Sequence, residues 1–235
     1  MPDDIYDYLK DSIPGNNSRQ VTAEAVLKQR VAGGWRPTRV LDFGCGDGRS
    51  IDLFRRVLPE ASWTGVDIEA SPEVKSRRRT DGKFVTYDGY ELPFPDRSFD
   101  LVYTKQVLEH VRKPELALRE LARVLVPDGL IIGQTSQFEP YHSFSLWNFT
   151  VYGFKRIAEE AGLRLEELRP GIDGFTLMRR HYEGRPPEMS RYFEEESPVN
   201  QEIEAAATAA RKSERIKNFR KLLVTGQFIF VMRLA

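Results

Sequence analysis

Short apolar runs alternate with stretches of helical periodicity along most of the chain. Val40-Leu41 with Phe43 has strand character, and Ile51, Phe54, Val57 and Leu58 then recur at helical spacing until Pro59. Further strand-like runs fall at 62–68, 83–87, 101–104, 130–133, 163–168 and 226–234. Between them lie helical registers. Val21, Ala25, Val26 and Leu27 form one, closed by Gly33-Gly34; residues 106–111 open another; 114–125 carries Leu116, Leu118, Leu121 and Leu125 on one side. A further helix is capped by Thr150 and closed by Gly162, and an alanine-rich one runs from Gln201 towards Leu223. Strands and helices taking turns in this way predict an α/β domain.

At 235 residues and 40% hydrophobic content, the chain suffices for one α/β domain with an elaboration, 1–235. Residues 1–34 are expected to form a helical N-terminal cover. Residues 171–225 are too many for a structureless loop and predict a helical insertion or lid before the last strand. Its alanine helix sets Ile203, Ala206, Ala207 and Ala210 on one narrow face, which suits close packing on another helix or a homodimer contact.

Thirty-five basic and thirty-five acidic residues cancel, so nothing global in the charge favours a nucleic acid or a membrane surface as partner. The N-terminus lacks an apolar core segment and no long uncharged apolar run follows, so a cytoplasmic protein is expected. Cys45 is the single cysteine, which excludes an intrachain disulfide and a multi-thiolate metal site.

The chemistry concentrates after the first strand, at Asp42-Phe43-Gly44-Cys45-Gly46-Asp47-Gly48-Arg49. Glycines between a strand and a helix allow positive φ and let a nucleotide lie against main chain beside unpaired helix N–H groups. A dinucleotide fingerprint reads Gly-x-Gly-x-x-Gly; here Gly44, Gly46 and Gly48 read Gly-x-Gly-x-Gly, with Arg49 in the place of the third dinucleotide glycine. The Tyr-x-x-x-Lys pair of a short-chain reductase occurs only at Tyr6 and Lys10, upstream of the glycines. Asp67 ends the second strand about 20 residues on, where a carboxylate can accept both ribose hydroxyls. Arg77-Arg78-Arg79 is most simply a solvated face.

The string Val-Leu-Asp-Phe-Gly-Cys-Gly-Asp-Gly closely resembles motif I of the class I S-adenosylmethionine-dependent methyltransferases. Residues 92–111, from Leu-Pro-Phe to Leu-Glu-His-Val, resemble the same region of their small-molecule (type 11-like) members. The resemblance spans roughly 35–170. It implies a Rossmann-like, doubly wound, seven-stranded sheet, mostly parallel with an antiparallel last strand, and S-adenosyl-L-methionine as cofactor. It implies cofactor contacts at Asp42, Gly44, Cys45, Gly46, Gly48, Asp67 and Ile68. Asp88 and Gly89 match the adenine position by their place after the third strand, and Lys105 and Gln106 the methionine end after the fourth.

The acceptor is written less clearly. Of the three histidines, His142 is the preferred general base because it follows the fifth strand, and His110 is second, in Leu-Glu-His-Val. Tyr141 and Trp147, with Arg179, His181 and Tyr182 from the insertion, are expected to hold a small hydroxylated metabolite or a sugar-type acceptor, since residues 139–150 are similar to a loop in methyltransferases found with polysaccharide biosynthesis. Glu109, His110, Glu139 and His142 also resemble the constellation of metal-dependent RNA 2′-O-methyltransferases, but Gln106 stands where a first carboxylate ligand would be, and no metal is expected. That metal-assisted enzyme and a non-catalytic cofactor-binding module are the alternatives. The O-methyltransferase is the favoured reading.

Overall fold

The computed structural model describes residues 3–235. Its sheet runs β3-β2-β1-β4-β5-β7-β6, formed by β1 (Arg39–Phe43), β2 (Ser62–Ile68), β3 (Lys83–Tyr87), β4 (Phe99–Lys105), β5 (Leu125–Ser136), β6 (Leu163–Pro170) and β7 (Gln227–Leu234). The first five strands pair in parallel, and β7 inserts antiparallel between β5 and β6. This is the expected doubly wound sheet with its antiparallel last strand.

Alternation along the strands builds a core on each face. Val40, Leu101, Tyr103, Ile132 and Val231 point to one side, where α2 (Ala23–Ala32) and α3 (Ile51–Val57) bring Val26, Leu27 and Phe54. Leu41, Phe43, Val102, Ile131 and Phe230 point to the other, met by α5 (Pro114–Val124) and α6 (Val151–Glu160) with Leu118, Leu121 and Phe154. α1 (Asp3–Leu9) adds Leu9 to this second core, and α4 (Pro72–Ser76) sits between β2 and β3. Pro114 opens α5, where its missing N–H costs nothing, and the Thr150 hydroxyl accepts from Gly153 N–H at 3.0 Å to cap α6.

Two expected helices differ. Residues 106–111 yield one 3₁₀ turn, Leu108–His110, because Gln106 takes φ +56° and stops a helix from starting there. The alanine-rich helix divides into α8 (Pro198–Ala209) and α9 (Glu214–Leu222), since Arg211 turns left-handed and Ser213 recaps the chain. Of the narrow face only Ala207 is buried; Ile203 is half-buried and Ala206 and Ala210 are exposed.

The insertion holds α7 (Gly174–Tyr182), a 3₁₀ turn at Pro187–Phe193, α8 and α9. It is fastened to the N-terminal segment by buried charge. Lys221, fully buried, donates to Ser18 O, Glu196 and Glu204, and Lys217 bridges Glu204 and Glu214. Asn218 donates to the carbonyls of Pro14 and Asn17 at 2.9 and 2.7 Å. Removing one partner of such a pair strands a buried charge, so this contact holds the insertion in place against the sheet.

Candidate cofactor and acceptor site

A cavity of about 1020 Å³ opens beyond the carboxyl ends of β1, β2, β4 and β5. That is where the strand order of an open α/β sheet reverses and ligands bind. One end is made of backbone. Gly44, Gly46 and Gly48 adopt φ of 76°, 51° and 85°. At Gly44 a Cβ would stand 2.3 Å from Val107 Cγ2, and at Gly48 2.7 Å from the Phe84 ring. The spacing Gly-x-Gly-x-Gly therefore answers to left-handed backbone at three places and to a close approach at two of them.

Asp67 locks this turn to β2. Gly46 N–H donates to Asp67 Oδ2 and Ile68 N–H to Oδ1, each at 2.7 Å. Burial raises its pKa, partly offset by those two N–H groups. Asp42, at the end of β1, accepts from the Ser50 hydroxyl and is pushed up to about 7 by burial. Burial first, then Asp42 and Asp67, pushes the Cys45 thiol up to about 12, so it is an unreactive side chain packed beneath the loop.

The arginine run is not a solvated face. Arg77 donates from Nε and Nη2 to Gly46 O at 2.8 and 2.6 Å and stacks over the Phe84 ring at 4.0 Å. Arg79 bridges Asp52 and Asp81 and reaches Gly48 O at 3.3 Å. Only Arg78 is exposed. The alternation of inward and outward residues at 77, 78 and 79 is a strand-like signal that the like charges concealed.

Asp42, Gly44, Cys45, Gly46, Asp67, Ile68, Lys105 and Gln106 line the cavity. Gly48, Asp88 and Gly89 lie just behind or beside it. Asp88 Oδ1 accepts from the N–H groups of Tyr90 and Glu91 at 2.8 and 3.0 Å, which hold its carboxyl below the usual range. Gly89 takes φ 88°, and a Cβ there would lie 3.6 Å from Ile68 Cγ2. From the N-terminal cover it is Thr22 and Glu24, at the start of α2, that reach the cavity.

The other end is made of side chains. His110, Glu139 and His142 line it, and Glu109 lies behind them, fully buried and pushed up to about 7 by burial. Glu109 accepts from the Thr135 hydroxyl at 2.9 Å and lies 3.9 Å from His142 Nε2. His142 Nδ1 lies 3.1 Å from Pro140 O, a contact that places the proton on Nδ1 and leaves Nε2 with a lone pair; Nε2 is buried without a hydrogen-bond partner. The rings of His110 and His142 meet edge to face with centroids 5.2 Å apart, and burial lowers the pKa of His110. Gln106 donates to Glu139 at 3.0 Å, and its own Oε1 is buried and unpartnered.

The remaining acceptor residues fall elsewhere. Tyr141 is exposed, and Trp147 stacks on Phe149 and donates to Val111 O at 2.8 Å; neither lines the cavity. Ser143 and Phe144 do instead. Arg179, His181 and Tyr182 stand exposed on α7, Arg179 paired with Glu183 and Tyr182 91% accessible. They were expected at the acceptor because they are polar and aromatic, but α7 turns that face to solvent. From the insertion, Phe193 reaches the cavity, a residue with no polar signal to mark it.

The residues present fit S-adenosylmethionine: the cavity has room for a nucleoside cofactor and an acceptor, Gly44 and Gly46 line it, and Gln106 Oε1 is an acceptor without a donor. Among the described residues no helix is long and apolar enough to cross a membrane. Residues 41–133 match the family model described as a methyltransferase domain. The chain is 35% identical over 97 residues to a fatty-acid O-methyltransferase of Mycolicibacterium smegmatis, covering 40% of this chain and 35% of that one. It is 29% identical over 194 residues to a demethylmenaquinone methyltransferase of Staphylococcus aureus, covering 79% of each. The first curated relatives are matched over 29% to 42% of their own length. Among solved structures, a 1,6-didemethyltoxoflavin-N1-methyltransferase from Burkholderia thailandensis with bound S-adenosylhomocysteine superposes with a TM-score of 0.54 at 19% identity, covering 91% of this chain and 76% of that one. With the glycine turn, the strand order and these matches together, the chain has the fold of the class I S-adenosylmethionine-dependent methyltransferases and carries a stretch, residues 41–133, similar to their methyltransferase domain.

Proposed function

We propose that the protein methylates an oxygen of a small hydroxylated acceptor, with S-adenosylmethionine at the glycine end of the cavity and the acceptor at the histidine end. The observation that carries this reading is the free, buried Nε2 of His142 on the wall of the same cavity as the glycine turn. An oxygen acceptor must lose a proton as it becomes a nucleophile, and an imidazole lone pair is the group suited to take it near neutral pH.

Asp67 would hold the ribose hydroxyls, the bare main chain of Gly44 to Gly46 the amino-acid part, and Gly89 with Asp88 the adenine edge. The cofactor, when bound, supplies a methyl group on a charged sulfur, already a good leaving group. The protein's share is placement and proton removal. Pro140 O fixes the His142 tautomer, and Glu109, 3.9 Å from Nε2 itself, would stabilise the imidazolium that forms. Phe144 and Phe193 add apolar surface to the cavity wall, against which an acceptor would lie.

Relatives named as a fatty-acid O-methyltransferase and a malonyl-[acyl-carrier protein] O-methyltransferase support oxygen as the acceptor atom. The sugar-type acceptor loses the aromatic faces that suggested it, because Tyr141 and Trp147 lie outside the cavity. Incubation with methyl-labelled cofactor and a panel of hydroxylated and carboxylated metabolites, followed by product analysis, tests the reading. Label on oxygen is expected. Label confined to nitrogen or carbon would refute it.

A further inference from the structure

We propose that Glu109, His110 and His142 form a binding site for one first-row divalent transition-metal ion. Each offers a ligand atom, and these atoms all lie within 4.8 Å of one another. The inference rests on reading this end of the cavity as the acceptor site.

Four observations converge on it. The Glu109 carboxylate is fully buried, yet among the described residues no lysine or arginine lies within ion-pair distance of it. A buried carboxylate without a cation is costly, and a metal ion would balance it. His142 turns Nδ1 to Pro140 O, which leaves Nε2 for a ligand bond, and the His110 ring meets the His142 ring edge to face. Two unpartnered buried atoms, His142 Nε2 and Gln106 Oε1, stand on the same wall. Finally, Glu139 stands beside the cluster on the cavity wall and accepts from Gln106, Ser136 and Gln227, and the Ser136 hydroxyl also reaches Glu109 at 3.4 Å.

The neutral Gln106 argued against a metal only while a second carboxylate seemed necessary. Two imidazoles and one buried carboxylate already make a donor set suited to manganese, cobalt or zinc, and poor for magnesium or calcium, which take oxygen ligands. An acceptor hydroxyl would approach a bound ion from the side that His110 and His142 line. Coordinated there, the hydroxyl loses its proton to solvent more readily because the cation stabilises the oxyanion. In the loaded protein His142 Nε2 is thus a ligand, and the proton it would otherwise take goes to water.

The test uses the full chain, stripped with chelator and titrated with cobalt(II). One equivalent should bind with a visible ligand-field band, and His142→Ala and Glu109→Gln should each weaken binding roughly tenfold or more. His181→Ala, on exposed α7, should leave it unchanged. Because Glu109→Gln changes a fully buried position, the wild-type protein supplies a second readout: substoichiometric manganese(II) should broaden the imidazole NMR signals of His110 and His142 before those of His181. Absence of the band, equal affinity in folded His142→Ala, or uniform broadening of all three histidines would overturn the site. The oxygen reading would survive that failure, since product analysis decides it separately; a confirmed site with label only on nitrogen would sink the oxygen reading alone.

Discussion

The two ends of the cavity are built in opposite ways. At the cofactor end the work is done by backbone: three glycines at positive φ, a carbonyl held by Arg77, and N–H groups held by Asp67, all within β1, β2 and the turn between β1 and α3. At the acceptor end it is done by side chains that arrive from separate places, Gln106 to His110 after β4, Glu139 to Phe144 after β5, and Phe193 from the insertion. A backbone demand is local and leaves its mark in adjacent letters. A convergence of side chains leaves none. The comparison implies that the two ends can be damaged independently.

The largest effect should come from the acceptor end. His142→Ala should lower kcat by about 10²–10⁴-fold, the range for losing a group that acts on the proton in flight, while the cofactor Kd by calorimetry stays within about twofold. If the cofactor affinity falls in parallel, the ends are one unit and the comparison fails.

Next in size is a pH effect confined to the cofactor end. The folded-state pKa of Asp42 is about 7 against an ordinary 3.8, so between those values the folded chain binds the extra proton. Stability from this group is therefore greatest in acid, declines as pH rises from about 4 to about 7, and is level above that. Asp42→Asn should remove that slope and leave the variant roughly 2–4 kcal/mol more stable than wild type at pH 8, with little difference near pH 4. Urea unfolding of both proteins at the two pH values measures it. An equal offset at both would show that Asp42 acts through packing and not through charge.

Asp67→Ala should weaken cofactor binding by about 1.5–3 kcal/mol, the range for hydrogen bonds to a charged group, and also free Gly46 N–H. NAD should remain without measurable binding in wild type and variant. A variant that bound the cofactor normally but lost kcat would put Asp67 on the acceptor side.

How much was legible follows the same division. Gly44, Gly46 and Asp67 could be read because each answers a demand set within a few residues, and the strands themselves from the apolar runs, whereas the mostly parallel sheet with its antiparallel last strand was implied by the resemblance. His142 was also named, by its place after the fifth strand. Arg179, His181 and Tyr182 were misplaced because polarity does not say which face of α7 meets solvent, and Phe193 was missed because its place depends on long-range contacts such as that of Gln20 with Tyr192 O. The split between α8 and α9 was hidden by a run of good helix formers on both sides of Arg211. Arg77 was hidden too, since nothing in Arg77-Arg78-Arg79 tells which side chain turns inward.

Arg77 also offers the smallest and most discriminating substitution. Its guanidinium places two N–H groups on one oxygen, Gly46 O, and lays its plane over Phe84, contacts that need a flat fork as well as a positive charge. Arg77→Lys keeps the charge near Asp67 and Cys45 but can offer that oxygen only a single point contact. If the turn is held by charge, cofactor affinity should not change. If it is held by geometry, the Gly46 peptide should loosen and the cofactor Kd should rise by about 1 kcal/mol, roughly fivefold, the net value of one hydrogen bond. The second outcome is expected, because the contact is to a neutral carbonyl at hydrogen-bond distance. Turnover at saturating cofactor should then match wild type, since the fault lies at one end of the cavity and His142 stands at the other.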